Sequence, residues 1–158
     1  MTASAHDRFD GKLVTLFGGG GFVGRQVAQL LMQSGARVRI VQRHPEQAYA
    51  VRALGNLGQT QFVAADATNA DTTARAMIGS DMVVNLVAVL SGNLDRANRL
   101  TAANIASAAA AHGIDQFVHV SAIGADPESP SAYGRSRAAA EAAVNTAVPA
   151  ATIVRPSI

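Results

Sequence analysis

The feature that most constrains the fold of this chain is a glycine cluster between a short apolar run and a helical pattern. Residues 13–25 read Leu-Val-Thr-Leu-Phe-Gly-Gly-Gly-Gly-Phe-Val-Gly-Arg. Gly18, Gly21 and Gly24 stand three residues apart, a spacing that allows a tight turn, close approach of the backbone to a pyrophosphate, and close packing of helix on strand. The helix that follows directs free N–H groups and its positive dipole end at the phosphates. The cluster predicts a dinucleotide-binding loop, the alternative being a purely structural turn.

The residues around this turn belong to the same predicted site. Gly20, Phe22 and Val23 complete the loop and begin the helix. Arg25 lies in the first helical turn, where a cation opposes the helix dipole by about 0.3–1 kcal/mol. An unfavourable charge of this kind beside a glycine loop indicates a bound anion that neutralises it.

Strand and helix patterns alternate along the whole chain, which predicts an α/β fold with βαβ units and a doubly wound parallel sheet. We expect residues 1–10 to be a disordered tail and residues 11–158 to form one domain. The predicted strands are Leu13–Phe17, Arg37–Val41, Gln61–Ala64, Met82–Val87, Phe117–Val120 and Thr152–Val154. The predicted helices are Phe22–Ser34, Pro45–Leu54, Asp71–Ile78, Asn93–His112 and Tyr133–Ala147, with Gly35 and Gly113 as C-terminal stops.

Composition narrows the functional classes. The 158 residues are 49% hydrophobic and 15% charged, which is typical of a folded domain with a sizeable core. The absence of cysteine excludes disulfides, thiolate metal sites and cysteine nucleophiles, and the four histidines show no metal-ligand spacing. A net charge of +2 without a dense basic block argues against nucleic acid as a partner. The apolar stretches are far shorter than the roughly 20 residues of a transmembrane helix, so we expect a cytoplasmic protein.

The end of the second predicted strand bears on the choice of dinucleotide. An acidic residue at this position hydrogen-bonds the ribose 2′-OH in NAD-selective sheets. Here the segment reads Val-Gln-Arg-His, with Arg43 and no acid. The planar guanidinium of Arg43 suits a 2′-phosphate, the alternative being a solvated surface arginine. The sequence therefore favours NADP(H), with NAD(H) as the alternative cofactor.

Three segments together carry a family resemblance. They are the glycine loop, Phe-Val-His-Val-Ser-Ala-Ile-Gly-Ala-Asp at residues 117–126, and Tyr-Gly-Arg-Ser-Arg at residues 133–137. In combination they resemble extended and atypical short-chain dehydrogenases/reductases over residues 11–158. The likeness is to the branch that contains the Rossmann-type accessory subunit of respiratory complex I and its bacterial relatives. It implies an NADP(H)- or NAD(H)-binding Rossmann sheet.

The resemblance also assigns cofactor contacts beyond the glycine loop. Asp66, which with Ala67 follows the third strand, matches the acid that faces the adenine amino group. Its alternative role is to cap a helix or a turn. Val87 and Ala88, after the fourth strand, match the segment that passes beside the adenine ribose.

The reaction centre of active family members is only partly matched. Tyr133 matches the tyrosine that transfers a proton in active members. Arg137 stands where those members have a lysine, which lowers the pKa of the tyrosine and holds the nicotinamide ribose. Ser121 lies one or two positions before the usual catalytic hydroxyl. Asn98 matches an asparagine that supports a proton relay, the alternative being an ordinary amide on a helix surface. We therefore expect inefficient catalysis.

Three functions remain open on the sequence. The favoured one is an NADP(H)-binding domain of an atypical dehydrogenase/reductase with uncertain turnover. The second is a nucleotide-binding assembly or accessory protein with a partner such as a respiratory complex, peripheral at the inner membrane. The third, sugar-nucleotide epimerisation or dehydration, is weaker because a substrate-binding C-terminal part is missing. On this expectation the chain is a fragment of a longer protein or a truncated product.

Overall fold

All the predicted strands pair in parallel within one sheet. The computed structural model describes residues 8–157, and its strands in spatial order are β3-β2-β1-β4-β5-β6. Their bounds are β1 Leu13–Phe17, β2 Arg37–Gln42, β3 Thr60–Ala64, β4 Met82–Asn85, β5 Phe117–Val120 and β6 Thr152–Val154. The chain therefore starts in the middle of the sheet, builds outward to β3, and returns to β4 on the other side of β1. This confirms the doubly wound α/β fold.

The helices connect successive strands, and two of them depart from regular α-helix. The helical elements are α1 Phe22–Gln33, a 3₁₀ helix Pro45–Leu54, α2 Ala70–Ala76, a π-helical segment Asp95–Leu100 continuing into α3 Thr101–Ala111, and α4 Ala132–Ala147. The positive φ angles of Gly35 (87°) and Gly113 (68°) confirm both as helix stops, because side-chain-bearing residues rarely adopt this conformation. The helix predicted over 93–112 is helical from Leu94 to Ala111, but its first part, Asp95–Leu100, is wound as a π-helix.

The core lies on both faces of the sheet. On one face α1 and the 3₁₀ helix pack against β1 and β2 through buried residues such as Ala28, Met32 and Val51. On the other face α3 and α4 pack through a second cluster that includes Ile105 and Val144. Every residue of β1 is buried, as a central strand covered by helices on both faces requires.

Residues 8–10 correct the predicted N-terminal tail. They form a helical turn, and Phe9 packs against the cluster under α1. Removing an aromatic ring from water lowers the free energy of the folded chain. These three residues therefore belong to the folded domain. The rest of the predicted tail, residues 1–7, lies outside the described residues, as does residue 158.

The fourth strand is shorter than predicted. It ends at Asn85, whose side-chain Oδ1 accepts a hydrogen bond from the backbone N–H of Val87 at 3.0 Å. This local bond turns the backbone out of the strand direction. Leu86 and Val87 therefore line a cleft and do not extend the sheet.

Candidate functional site

A cleft of about 600 Å³ opens beyond the carboxyl ends of the strands, where the chain reverses its direction of travel between β1 and β4. Open α/β sheets bind their ligands at this switch point. The walls of the cleft come from the glycine loop and from the segments that follow β2, β3 and β4. Its lining residues include Gly18, Gly21, Arg43, Asp66, Ala67, Thr68, Val87, Ala88, Ser91, Asn93, Arg96 and Thr101.

The glycine loop forms the tight turn that its spacing predicts. Gly18 has φ +80°, donates its N–H to Val41 O at 3.1 Å and accepts from the N–H of Gly21 at 3.1 Å. A Cβ on Gly24 would lie 2.5 Å from Gly18 O, so the helix can pack on the turn only without a side chain there. Gly21 precedes α1 and faces the cleft, so the positive end of the α1 dipole faces the cleft as well.

A second cavity of about 340 Å³ adjoins the glycine loop beside the end of β2. It is lined by Gly20, Gly21, Arg25, Gln42, Arg43, His44 and Gln47, and Arg43 lines the main cleft as well. Arg25 is held across the loop, where its Nε donates to Gly20 O at 2.9 Å. Two arginines therefore line one cavity, and no acidic residue is among its lining residues.

Three other predicted loop residues take no part in either cavity lining. Gly24 is buried under the turn, while the side chains of Phe22 and Val23 are 90% and 51% exposed. Of the side chains in the first turn of α1, only that of Arg25 lines a cavity.

Asp66 lines the cleft and also forms a turn. Its Oδ1 accepts hydrogen bonds from the backbone N–H of Thr68 at 2.9 Å and from the Thr68 hydroxyl at 2.8 Å. These bonds lower the pKa of Asp66 below its usual 3.8. Asp66 is therefore an ionised acceptor at neutral pH, and the helix cap belongs to Asn69, which accepts from Thr72 N.

Several polar residues of the cleft were not predicted from the sequence. Thr68 carried a usable signal, since Asp-x-Thr is a common turn pattern. Arg96 carried none, because its contact with Thr68 Oγ1 at 3.1 Å depends on how the segments after β3 and β4 approach each other. The missed lining residues are Thr68, Ser91, Asn93, Arg96 and Thr101.

None of the four predicted catalytic residues lines the cleft. Tyr133 is half-buried in the first turn of α4. Ser121 is buried after β5, and its hydroxyl is close enough to Glu141 to help lower the pKa of that carboxyl. Arg137 is fully buried, where its guanidinium donates to Val87 O at 3.3 Å and to Val120 O. Arg137 thus joins the backbone beyond β4 to the end of β5.

Asn98 is neither exposed nor in the cleft. It is fully buried in the π-helical segment, so its interpretation as an ordinary surface amide is wrong. Its side chain accepts from Val89 N at 3.0 Å and donates to Val89 O at 3.1 Å and to Ser136 Oγ at 3.0 Å. Since the Val89 backbone would otherwise lack these partners, Asn98 holds the loop after β4 against α4.

His119 occupies the sheet behind these residues. It is fully buried, and its Nδ1 lies 3.1 Å from Asn85 Nδ2. Burial, together with the nearby charge of Arg137, lowers the pKa of His119 from 6.5 to about 4. The ring is therefore neutral in the folded chain at pH 7. Glu141, whose charge also acts on His119, pairs with Arg155, with Oε2 and Nη2 2.6 Å apart.

We expect the free energy of unfolding to fall as the pH drops from 6.5 to about 4, because the unfolded chain takes up a proton at His119 that the folded chain refuses. The loss at the acid end is at most about 3 kcal/mol. Denaturant unfolding at stepped pH measures it. His119→Gln should flatten this slope, while the same change at the exposed His112 should leave it unchanged. Equal slopes in wild type and His119→Gln would contradict the assignment.

A parallel sheet of this order, with a glycine loop at its switch point, defines a dinucleotide-binding protein of the Rossmann class. The chain belongs to the NAD(P)H-binding family, whose match covers residues 18–158. Within residues 8–157, every helix is too short or too polar to span a lipid bilayer.

Curated relatives are about one-third identical to this chain over the aligned residues. It is 33% identical to the Dictyostelium discoideum protein named NADH dehydrogenase [ubiquinone] 1 alpha subcomplex subunit 9, mitochondrial, over 94% of this chain and 42% of that protein. The Arabidopsis thaliana protein of the same name is 35% identical over 93% of this chain and 38% of its own length. A ceramide reductase of Caulobacter vibrioides is 31% identical over 91% of this chain and 45% of its length. The chain thus spans less than half the length of each.

Solved structures confirm the fold. A putative NAD-dependent epimerase/dehydratase from Bacillus halodurans superposes with a TM-score of 0.81 at 24% identity, over 92% of this chain and 70% of that chain. The enzyme WbmG of Bordetella bronchiseptica, solved in complex with NAD, gives a TM-score of 0.72 at 19% identity, over 88% and 51% of the two chains. At these identities the likeness concerns the fold alone.

Proposed function

We propose that the chain is an NADP(H)-binding domain of an atypical short-chain dehydrogenase/reductase, which prefers NADP(H) to NAD(H). The observation that carries the proposal is the cavity beside the glycine loop, which Arg25 and Arg43 both line and to which no acidic residue contributes. A 2′-phosphate placed there would receive charge-assisted hydrogen bonds from planar guanidinium groups. The ribose 2′-OH of NAD(H) would find no carboxylate acceptor in the same cavity.

We expect NADPH to raise the melting temperature more than NADH does at equal concentration. A ligand at 100 times its Kd stabilises the folded state by about 2.7 kcal/mol, so a difference in Kd appears directly in thermal unfolding. Arg43→Asp should narrow or reverse the preference. The matched control is Arg37→Asp, an equal charge change at the opposite end of β2. An equal or larger shift with NADH in the wild type would refute the cofactor assignment.

We further propose that this domain turns over NADPH slowly or not at all. Support comes from Arg137, whose guanidinium is buried against Val87 O and Val120 O and does not line the cleft. A general acid–base group contributes about 10²–10⁴-fold to a rate, so loss of the group that tunes Tyr133 removes much of that factor. A substrate that is not held in a reactive orientation lowers the rate further.

Steady-state oxidation of NADPH across a panel of carbonyl and quinone acceptors tests this part of the proposal. Wild type and Tyr133→Phe are expected to give the same near-background rates. Robust turnover in the wild type that collapses in Tyr133→Phe would establish an enzyme.

The second candidate is an accessory protein that binds NADP(H) for stability and assembles with a respiratory complex at the inner membrane. Exposed apolar side chains favour it: Phe22 is 90% exposed, Leu90 77% and Ile123 69%. The relatives named as subunits of NADH dehydrogenase point the same way. Co-migration of the tagged protein with the respiratory NADH dehydrogenase on native gels would support this candidate. Migration of the protein alone, with and without NADPH, would contradict it.

A further inference from the structure

A chain of hydrogen bonds joins three residues of the cleft wall. Arg96 Nη2 donates to Thr68 Oγ1 at 3.1 Å, and Thr68 Oγ1 donates to Asp66 Oδ1 at 2.8 Å. All three residues line the cleft. We call this series the Arg96 bridge.

The bridge connects two parts of the fold that the sheet keeps apart. Asp66 and Thr68 follow β3, whereas Arg96 follows β4, and β2 and β1 lie between these strands. The segment after β3 is also tied to α3, because Asn104 Nδ2 donates to Ala67 O at 2.9 Å. This second tie holds the backbone of the segment without Arg96, so removing the Arg96 side chain should affect mainly the orientation of the Asp66 carboxylate.

The donors and acceptors of the bridge follow from the chemistry of its members. Arginine only donates, an ionised carboxylate only accepts, and a hydroxyl with one proton can stand between them. The bonds from the backbone and hydroxyl of Thr68 both fall on Oδ1 of Asp66. Among residues 8–157 no donor is hydrogen-bonded to Oδ2, so its lone pairs are open to a donor on a ligand.

We propose that Arg96 is a positioning residue for base recognition: through Thr68 it orients Asp66 so that the carboxylate accepts a hydrogen bond from an exocyclic amino group of a purine. This inference rests on the proposed function, because it requires a nucleotide in the cleft. The role of Arg96, and its action through Thr68, go beyond the cofactor contacts that the family resemblance implies.

The test compares NADP⁺ with its hypoxanthine analogue, which lacks the exocyclic amino group. Wild type should bind NADP⁺ about tenfold more tightly, the effect of one hydrogen bond to a charged acceptor. Arg96→Ala and the isosteric Thr68→Val should each reduce this ratio to about threefold or less. Arg99→Ala is the matched control, since Arg99 lies in the same segment but pairs with Asp95 outside the cleft lining.

Two further measurements separate positioning from general damage. The melting temperature of unliganded Arg96→Ala should equal that of wild type, because bonds between exposed side chains contribute little to stability. Adding Arg96→Ala to Asp66→Ala should cause no further loss of base preference, because Arg96 acts only through Asp66.

The outcomes separate this inference from the function on which it rests. Failure of wild type to bind NADP⁺ would overturn the proposed function and the inference with it. Binding without preference for the adenine base, or a preference unchanged in Arg96→Ala, would overturn the inference alone. A lowered ratio in Arg96→Ala and Thr68→Val, with Arg99→Ala unchanged, supports it.

Discussion

Replacing Gly21 by valine is expected to abolish NADPH binding while the chain remains folded. A Cβ at Gly21 would lie 3.3 Å from Gly18 O, a tight contact that a shift of a few tenths of an ångström relieves, so the chain should still fold. The backbone there, with φ −72° and ψ 179°, is also open to ordinary residues. The added side chain would instead fill the space in which the backbone approaches a pyrophosphate. The measurement is the NADPH-induced shift in melting temperature, alongside circular dichroism of the free protein.

The other glycines provide the controls for this experiment. Gly124→Val, in a loop where a Cβ would have no neighbour within 4 Å, should leave binding unchanged. Gly24→Ala should weaken folding itself, since its Cβ would lie 2.5 Å from Gly18 O. A folded Gly21→Val protein that retains its NADPH affinity would show that the glycine loop is not the phosphate site.

Replacing Arg137 by methionine is expected to lower the free energy of unfolding by about 1–3 kcal/mol, the usual cost of leaving a buried acceptor without its donor. The change leaves Val87 O and Val120 O without their donor and removes positive charge from the buried side of Glu141. Burial raises the pKa of Glu141, but the hydrogen bonds from Arg155 and Ser121 and the charge of Arg155 together lower it, so the carboxylate stays ionised. Denaturant unfolding at pH 7 measures the loss.

Arg135→Met is the matched control for Arg137→Met. Arg135 lies two positions earlier in α4, is exposed, and donates to Ser129 O. Its replacement should cost less than about 1 kcal/mol. If Arg137→Met were as stable as Arg135→Met, the structural role assigned to Arg137 would be wrong, and a role at the cofactor would have to be reconsidered.

The sheet and the glycine loop were predictable because their signals are local. β1 is a continuous apolar run that stops at Gly18, and the loop's spacing needs no knowledge of distant residues. Gly35 and Gly113 marked helix ends for the same reason. The fold class followed from the alternation of these local patterns.

The residues around the cleft were harder to predict because their positions depend on packing between distant segments. Arg96 and Thr68 are 28 positions apart and meet only through the arrangement of the segments after β3 and β4. The family pattern places Arg137 at the cofactor, yet its guanidinium reaches the backbone carbonyls of Val87, after β4, and Val120, at the end of β5. Asn98 was expected either in a relay or on a surface, and its burial against Val89 follows from the π-helical winding, which sequence periodicity does not reveal.

The most direct test of the account is a calorimetric titration with adenosine 2′,5′-bisphosphate and, separately, with adenosine 5′-monophosphate. The two ligands differ only in the 2′-phosphate, so their difference in Kd reports the contribution of that group, and the Arg43→Asp variant assigns the contribution to the cavity. We predict at least about tenfold tighter binding of the bisphosphate, the effect of one charge-assisted contact, and loss of this advantage in Arg43→Asp. Equal affinities in the wild type would contradict the account.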